Sequence, residues 1–552
     1  MPLRDHSVNC GAPGSEKEFP DSSSCDADVV VLGGALAGAS CALILRRRWP
    51  SLRVIVLEKS TTFSRRVGEA TVEISAFFLG RVLGLTQHLN ESHLVKQGMR
   101  FWFSNEQTCD LSDSSEMGGR YQARLPAYQV DRAVLDEEVL KLAAMAGATV
   151  LRPARVQRVH LDSGGIQNVE LKLDESTTHL RARWVIDASG LASVLARQEG
   201  WHQPNDAHPI SAVWSRWRGV KDWDGHELAS KFPGWAAACH GVRGTATNHL
   251  MGDGWWAWMI PLKGGDVSIG VVFDTRRVRW VSKGSLASDL KEFLCAHPVG
   301  RQFLEDATPL EGDCHRRARL AYSSSRYAGD GFVLVGDAGA FLDPFYSPGM
   351  DWLTYSVTRA VELISTQLEG RDIQGPIKAI NDDFTRSYQR WFSALYENKY
   401  DYLGDFELMR VAFRLDLGLY YLGVVSQPFV RGGEFLRNPV FSTPPSVPFY
   451  GFIRAYHSRL RRMAGVRRRR GQFGRANTGH RVLLNGFSFE PGSFLPIVRA
   501  VADWVKLELS EGWRSWWFFG NEAQEQGPSR TPTTLSVRAE DPVLGRPARN
   551  RL

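Results

Sequence analysis

Asp337 closes a short apolar run, Phe332-Val333-Leu334-Val335, at the tight turn Gly336-Asp337-Ala338-Gly339. Such a run reads as a buried strand, and the apolar stretch after Met350 reads as a helix. A carboxylate at a strand end can accept hydrogen bonds from a sugar hydroxyl, and the helix start beyond Gly349 offers free N–H groups to an anion. Alone, this segment is an ordinary strand–turn–helix with an Asp cap. Its partner lies roughly 300 residues earlier, where Asp28-Val-Val-Val-Leu runs into Gly33-Gly34-Ala35-Leu36-Ala37-Gly38 and the helix-like CALILRRRW. The next strand, Arg53–Leu57, ends in Glu58, 25 residues beyond Gly33. That is near the distance at which a carboxylate grips a ribose 2′-hydroxyl. Ala35 stands where the pattern asks for Gly, and its methyl narrows the approach of a pyrophosphate to the backbone. Strand, turn, helix, strand and acid in this order would serve NAD and FAD equally.

Other residues need their neighbours before they say anything. Arg65 and Arg66 follow the second strand and could reach a diphosphate bidentately; singly, each reads as a solvated loop arginine. Arg132 opens a helix capped by Asp131, where it could meet a phosphate or ribose, or simply face water. Lys96 is the basic residue at the mouth of the alternating strand up to Phe103, and on position alone is an exposed charge. Trp256 and Trp258, in Gly254-Trp-Trp-Ala-Trp-Met-Ile-Pro261, share one face of a strand, a stacking wall or a plain core stripe. A third strand ends in a polar turn at Asp187, so three such junctions (Gly33, Asp187, Asp337) recur as if one mononucleotide site were assembled from distant pieces.

These residues must be positioned by more than one core, because 552 residues exceed what a single one holds. The expected class is α/β: a Rossmann-like dinucleotide fold with an antiparallel β-sheet layer and a C-terminal helical region. The expected divisions are a flexible leader at 1–26, a dinucleotide-binding part at 27–207, a substrate-side sheet at 208–320, the completing segment at 321–370, a mostly helical region at 371–520 and a disordered tail at 521–552. An aromatic helix is expected from Trp504 to Phe519. No run is apolar enough to span a bilayer, and the first 26 residues lack a signal core. Seven scattered cysteines without CxxC spacing suggest neither disulfides nor zinc, so a reducing cytoplasm is expected. The net charge of +7 concentrates in arginines between Arg459 and Arg475. That segment reads as a solvated basic loop, with an acidic carrier or anionic membrane as the other reading and no nucleic-acid-binding signature beside it.

The motifs GGALAG (33–38), Glu58, VGEATVE (67–73), YQVDR (128–132), IDASG (186–190) and LVGDAGAFLDP (334–344) together resemble the flavoprotein monooxygenases of the para-hydroxybenzoate hydroxylase type. The resemblance covers roughly residues 27–370. It implies FAD, with Gly33, Gly38 and Glu58 on the ADP half, Arg132 against the cofactor and Asp337 on its ribityl-diphosphate region. Within that superfamily, Trp256, Trp258, Ile260 and Pro261 resemble the WxWxIP motif of flavin-dependent halogenases, and Lys96 sits where those enzymes keep a lysine. This implies that FAD reduced by a separate reductase meets dioxygen, that halide attacks the peroxyflavin, and that Lys96 passes hypohalous acid to an electron-rich ring. An ammonium polarises the oxidant and a free amine traps it.

Two positions depart from the halogenase pattern. Tyr346 stands where tryptophan halogenases carry a Glu beside the substrate, which points to the phenol- and pyrrole-acting branch. The halide of the family lies near backbone N–H groups of an S-[TS]-G turn; here the turn is Ser347-Pro348-Gly349, proline has no N–H, and only Gly349 of that pair donates. The leading expectation is therefore a halogenase of an aromatic substrate, free or carrier-bound, working with a reductase. The alternatives are a flavin monooxygenase or dehydrogenase that uses no halide, and a FAD-binding protein without turnover. Aromatic content in the C-terminal third is consistent with a cap over a greasy ligand or with peripheral membrane contact.

Overall fold

A computed structural model describes residues 25–515 except 164, 240 and 486–493. The expected leader lies outside the described residues but for its last two, and the expected tail lies wholly outside them. Val29, Val30 and Val31 are all fully buried in the strand Ala27–Leu32, as a β-branched run covered on both faces should be. This strand pairs in parallel with Val54–Leu57 on one side and Ser176–Asp187 on the other. Phe332–Leu334 and Thr149–Leu151 extend the sheet, again in parallel. In register, Leu32 lies opposite both Leu57 and Asp187, and Asp187 opposite Leu334. The three polar turns of the sequence thus leave one edge of one sheet, at the carboxyl ends of its strands, where open α/β sheets bind ligands.

The helices Leu36–Arg48, Arg132–Met145 and Pro348–Leu368 pack around this sheet. Asp131 caps the second of them as expected, accepting the Ala133 N–H at 2.9 Å. The first has no side-chain cap and no acid in its first turn, so its amides stay available to an anion.

Among the described residues the second sheet, like the first, has eight strands, and it departs from expectation in two ways. It is not confined to 208–320: Met99–Phe103, Ser115–Gly119 and Arg481–Leu484 join it. It is not purely antiparallel either, since Thr247–Gly252 runs parallel to Met99–Phe103 and Arg481–Leu484 parallel to Ser115–Gly119. Lone strands distant in sequence complete an edge wherever their backbone is unpaired, and alternation cannot reveal that. Along Trp255–Pro261, Trp256, Trp258 and Ile260 join one core while Trp255, Ala257 and Met259 join the other, as a period of two requires.

The C-terminal third is largely helical, but its last described long helix is Phe494–Ser510, earlier than expected, and 516–519 lie outside the described residues. The basic segment is also reassigned. Most of it lies on the helix Val447–Arg469, and its arginines are paired: Arg459 with Glu508 at 2.7 Å, Arg461 with Asp401 at 3.4 Å, and buried Arg467 with Asp405 at 2.6 Å and Glu407 at 2.9 Å. Acids 49 to 62 residues away supply these partners, so a linear charge count saw only the basic half.

Candidate functional site

At the shared strand edge the chain closes on itself tightly. Gly33 adopts φ +103°, which favours glycine, and a Cβ there would stand 2.6 Å from the Ala188 carbonyl oxygen. A Cβ on Gly38 would stand 1.9 Å from the Gly33 oxygen, and one on Gly336 would meet the Ala37 Cβ at 3.4 Å. The first turn, the Asp187 turn and the Gly336-Asp337 turn are therefore in mutual contact. Ala35 is the extended residue just before the uncapped helix. Glu58 is fixed at the end of its strand by the Gly34 and Ser60 N–H groups, each at 2.9 Å. Asp187, by contrast, serves the fold: its carboxylate accepts the amides of Ser189 and Leu195 at 2.9 and 2.8 Å.

Asp337 behaves differently. Its carboxylate has no hydrogen-bond partner among the described residues, and burial pushes it up to about 6 despite the pull of Arg132 and Arg317. Arg132 forks onto Asp136 at 2.9 and 3.1 Å, and Arg66 reaches the same carboxylate at 3.6 Å. Burial works against the Arg132 charge, but Asp136, Asp337 and Glu69 raise it above the usual guanidinium range. A glycine cradle, an uncapped helix start, a fixed acid and an unpartnered carboxylate facing an arginine fit the diphosphate and hydroxyls of a dinucleotide such as FAD.

Across the Pro348 helix from this edge lies a cavity of about 770 Å³, among whose walls are Glu73, Lys96, Tyr346, Asp351, Tyr420 and Tyr421. Lys96 is not an exposed charge: it is 2 % exposed and donates to the Thr71 carbonyl at 2.9 Å. Backbone pairing of Leu94–Val95 with Tyr128–Gln129, followed by Gly98 at φ +76°, holds it there. Burial pulls the Lys96 amine down to about 8, against the opposing charges of Glu73 and Asp351. The Asp351 carboxyl is pushed up to about 8, chiefly by burial and further by Glu73; the Tyr420 hydroxyl, the Ser75 amide and Lys96 work the other way.

The loop before the helix is strained. Tyr346 and Ser347 both have positive φ, 69° and 57°, which costs bulky residues energy and recurs at functional sites. The Tyr346 hydroxyl donates to Asp416 at 3.1 Å. Asp416 also takes Lys399 at 2.8 Å, His457 at 2.8 Å and the Tyr456 hydroxyl. Burial opposes its charge, but Lys399 and His457 hold it well below the usual carboxylate range. Pro348 occupies the first helical position, where its missing N–H breaks no helix bond. The Ser347 N–H is committed to the Pro344 carbonyl at 3.0 Å, leaving the first-turn amides of Gly349 and Met350 without partners among the described residues.

Trp256 and Trp258 do not line the cavity; they stand behind the residues that do. Trp256 packs edge-on against Phe345 at 5.0 Å and donates to the Tyr400 hydroxyl at 2.9 Å, while Trp258 donates to Ser268 at 3.2 Å. Phe345, in turn, stacks near Tyr346 at 4.3 Å. Sequence reasoning missed Glu73, Asp351, Asp416 and Tyr420-Tyr421. The first two lie in or beside motifs singled out above, whereas the rest carry no local signal.

The fold and this edge define a FAD-dependent oxidoreductase. The tryptophan halogenase family model matches residues 28–112 and 111–398, and the chain belongs to that family. It is 25% identical over 448 residues to the flavin-dependent halogenase chlA of Dictyostelium discoideum, spanning 75% of this chain and 72% of that protein. It is 26% identical over 446 residues to a 1H-pyrrole-2-carbonyl peptidyl-carrier-protein chlorinase of Pseudomonas fluorescens, 76% of this chain and 91% of the relative. In fold it resembles the halogenase PltM solved with phloroglucinol and FAD, at a TM-score of 0.67 and 18% identity, covering 89% and 99% of the two chains. Among the described residues no helix is long and apolar enough to cross a membrane, and no cluster of acids, histidines and cysteines could hold a metal.

Proposed function

We propose that this chain halogenates an electron-rich aromatic, phenol- or pyrrole-like, in the 770 Å³ cavity, with Lys96 handling the oxidant. FAD would rest on Gly33, Gly34, Ala35, Ala37, Gly38 and Glu58 on its ADP side, and on Arg66, Arg132, Asp337 and the Gly349 helix start elsewhere. When bound and reduced, FAD supplies hypohalous acid from dioxygen and halide. Lys96 carries the reading: it is a buried lysine whose ammonium keeps N–H groups beyond the one given to Thr71, in the wall of the cavity. With its amine near 8, Lys96 can donate to or take up a proton at working pH. Ser347 and Gly349 belong to the candidate halide turn, and Trp256 and Trp258 back the Phe345–Tyr346 wall that keeps water out.

A separate reductase and a carrier-bound substrate are part of this proposal, the latter supported by the carrier-dependent relative. Peripheral membrane contact is supported by exposed Leu495, Val498, Val505 and Leu509 on the helix Phe494–Ser510. A second reading, oxygenation without halide, is favoured by the turn: Pro348 has no N–H and the Ser347 N–H is occupied. The test supplies the purified protein with FAD, a flavin reductase, NADH, oxygen and chloride or bromide over phenols, pyrroles and indoles, free and carrier-bound. Halogenated product that disappears in Lys96→Ala is expected. Oxygenated product insensitive to halide would replace the first reading with the second.

A further inference from the structure

Two carboxylates flank Lys96, and the fold treats them differently. Asp351 lies in the first turn of the Pro348 helix, is 1% exposed, and has one oxygen against the Tyr420 hydroxyl at 2.8 Å. Glu73 opens the helix Glu73–Phe77, is only half-buried, and lines the cavity, with one oxygen against the Tyr421 hydroxyl at 2.5 Å. Consecutive tyrosines thus clamp each acid by one oxygen. Thr71, which takes the Lys96 ammonium, is two residues from Glu73, so amine and carboxylate share one patch of wall. Nothing in the tyrosine and amine network around Glu73 is spent on the parallel-sheet cofactor edge.

We propose that Glu73 is the base that takes the O–H proton of a phenolic substrate, which makes phenols rather than pyrroles the substrate class of this cavity. This rests on the halogenase reading above. A phenol becomes a stronger carbon nucleophile when its oxygen loses a proton, because that electron pair is conjugated to the ring. The steps balance as follows. The phenol O–H bond breaks and its proton goes to the Glu73 carboxylate. The ring carbon ortho to oxygen bonds to the halogen of hypohalous acid, and the halogen–oxygen bond breaks toward oxygen. The hydroxide released takes a proton from the Lys96 ammonium and leaves as water. The ring C–H proton then passes to the Lys96 amine, and Glu73 returns its proton to the phenolic oxygen. The ring is oxidised by two electrons and the halogen reduced by two, with water as the other product.

Asp351 supports this division of labour. Burial holds its proton up to about pH 8, so near neutrality it does not compete for the substrate proton. The titratable groups around this set include Lys96, Asp351, Tyr355, Tyr420 and Tyr421, with His249 beside Lys96 and Tyr396 beside Asp351.

Glu73→Gln keeps an oxygen for Tyr421 and removes the base. Turnover of resorcinol, of its dimethyl ether, and bromide oxidation read through a freely diffusing trap are compared in wild type and variant, all with FAD and reductase. The expected result is a resorcinol rate lower by about 100-fold or more, with the ether and trap rates at wild-type levels. A resorcinol rate that is unchanged, or that falls together with the ether rate, overturns the role of Glu73. A wild-type protein that yields neither halogenated resorcinol nor trapped hypohalous acid refutes the halogenase reading itself and the proton transfer with it.

Discussion

Lys96 is a strained guest in its cavity wall, and that strain is measurable. Its amine falls from 10.5 to about 8, with burial the chief cause. At about 1.4 kcal/mol per pH unit, keeping the ammonium there costs roughly 3 kcal/mol wherever it is fully protonated. Replacing it by methionine, of similar length and without charge, removes that cost but also the bond to the Thr71 carbonyl, worth about 1 kcal/mol. Lys96→Met should therefore gain about 2 kcal/mol near pH 7, a rise in melting midpoint of about 2 °C for a chain of this size, while halogenation is lost. The sign follows from linkage. Because the folded pKa lies below the unfolded one, the penalty is complete below pH 8, and stability rises with pH between about 8 and 10.5 as the folded amine sheds its proton first. That rise should vanish in the variant. Asp351, raised to about 8, changes stability below that pH, so the two windows are separate. Melting midpoints of both proteins from pH 6 to 10.5 provide the assay. A variant no more stable than wild type at pH 7, with the alkaline rise intact, would refute the account of Lys96 as a desolvated ammonium.

Two further outcomes follow from the same geometry. Gly38→Ala places a methyl 1.9 Å from the Gly33 carbonyl oxygen, a backbone atom that cannot swing aside, so the helix must back away from its strand and overpacking should cost about 1–3 kcal/mol. FAD uptake, followed by quenching of flavin fluorescence, should be lost in that variant, and wild-type affinity would show that the cradle lies elsewhere. Pro348→Ser restores an N–H beside Gly349 and should lower the half-saturating chloride concentration; an unchanged halide dependence would remove this turn from halide binding.

How far the sequence reaches differs from element to element. The strand Ala27–Leu32, its turn, the helix after it and the Asp131 cap were legible because each is set by neighbours within a few residues. The strand-edge motifs were legible as a resemblance, since they recur in order, and the parallel register brings the turns of Gly33, Asp187 and Asp337 together. The reading failed where partners are remote. The basic segment looked like a solvated loop because Glu407, Glu508 and Glu511, which neutralise it, lie far along the chain. Lys96 looked exposed because the groups around it, Thr71, Glu73 and Asp351, lie far from it along the chain. The same distance hid the extra strand Arg481–Leu484 and the whole of the Asp416 network.

By itself, then, the order of residues determined the parallel-sheet half, because its conformations are local: glycines that permit a turn, β-branched residues that prefer a strand, a carboxylate at a strand end. Only the tertiary structure decided what the cavity is. It set Lys96 between two acids, left Glu73 half-buried and Asp351 fully buried in the same wall, and placed the tryptophans behind the lining residues. Burial and charge–charge distance are properties of the folded surface, and they depend on residues that no local pattern connects.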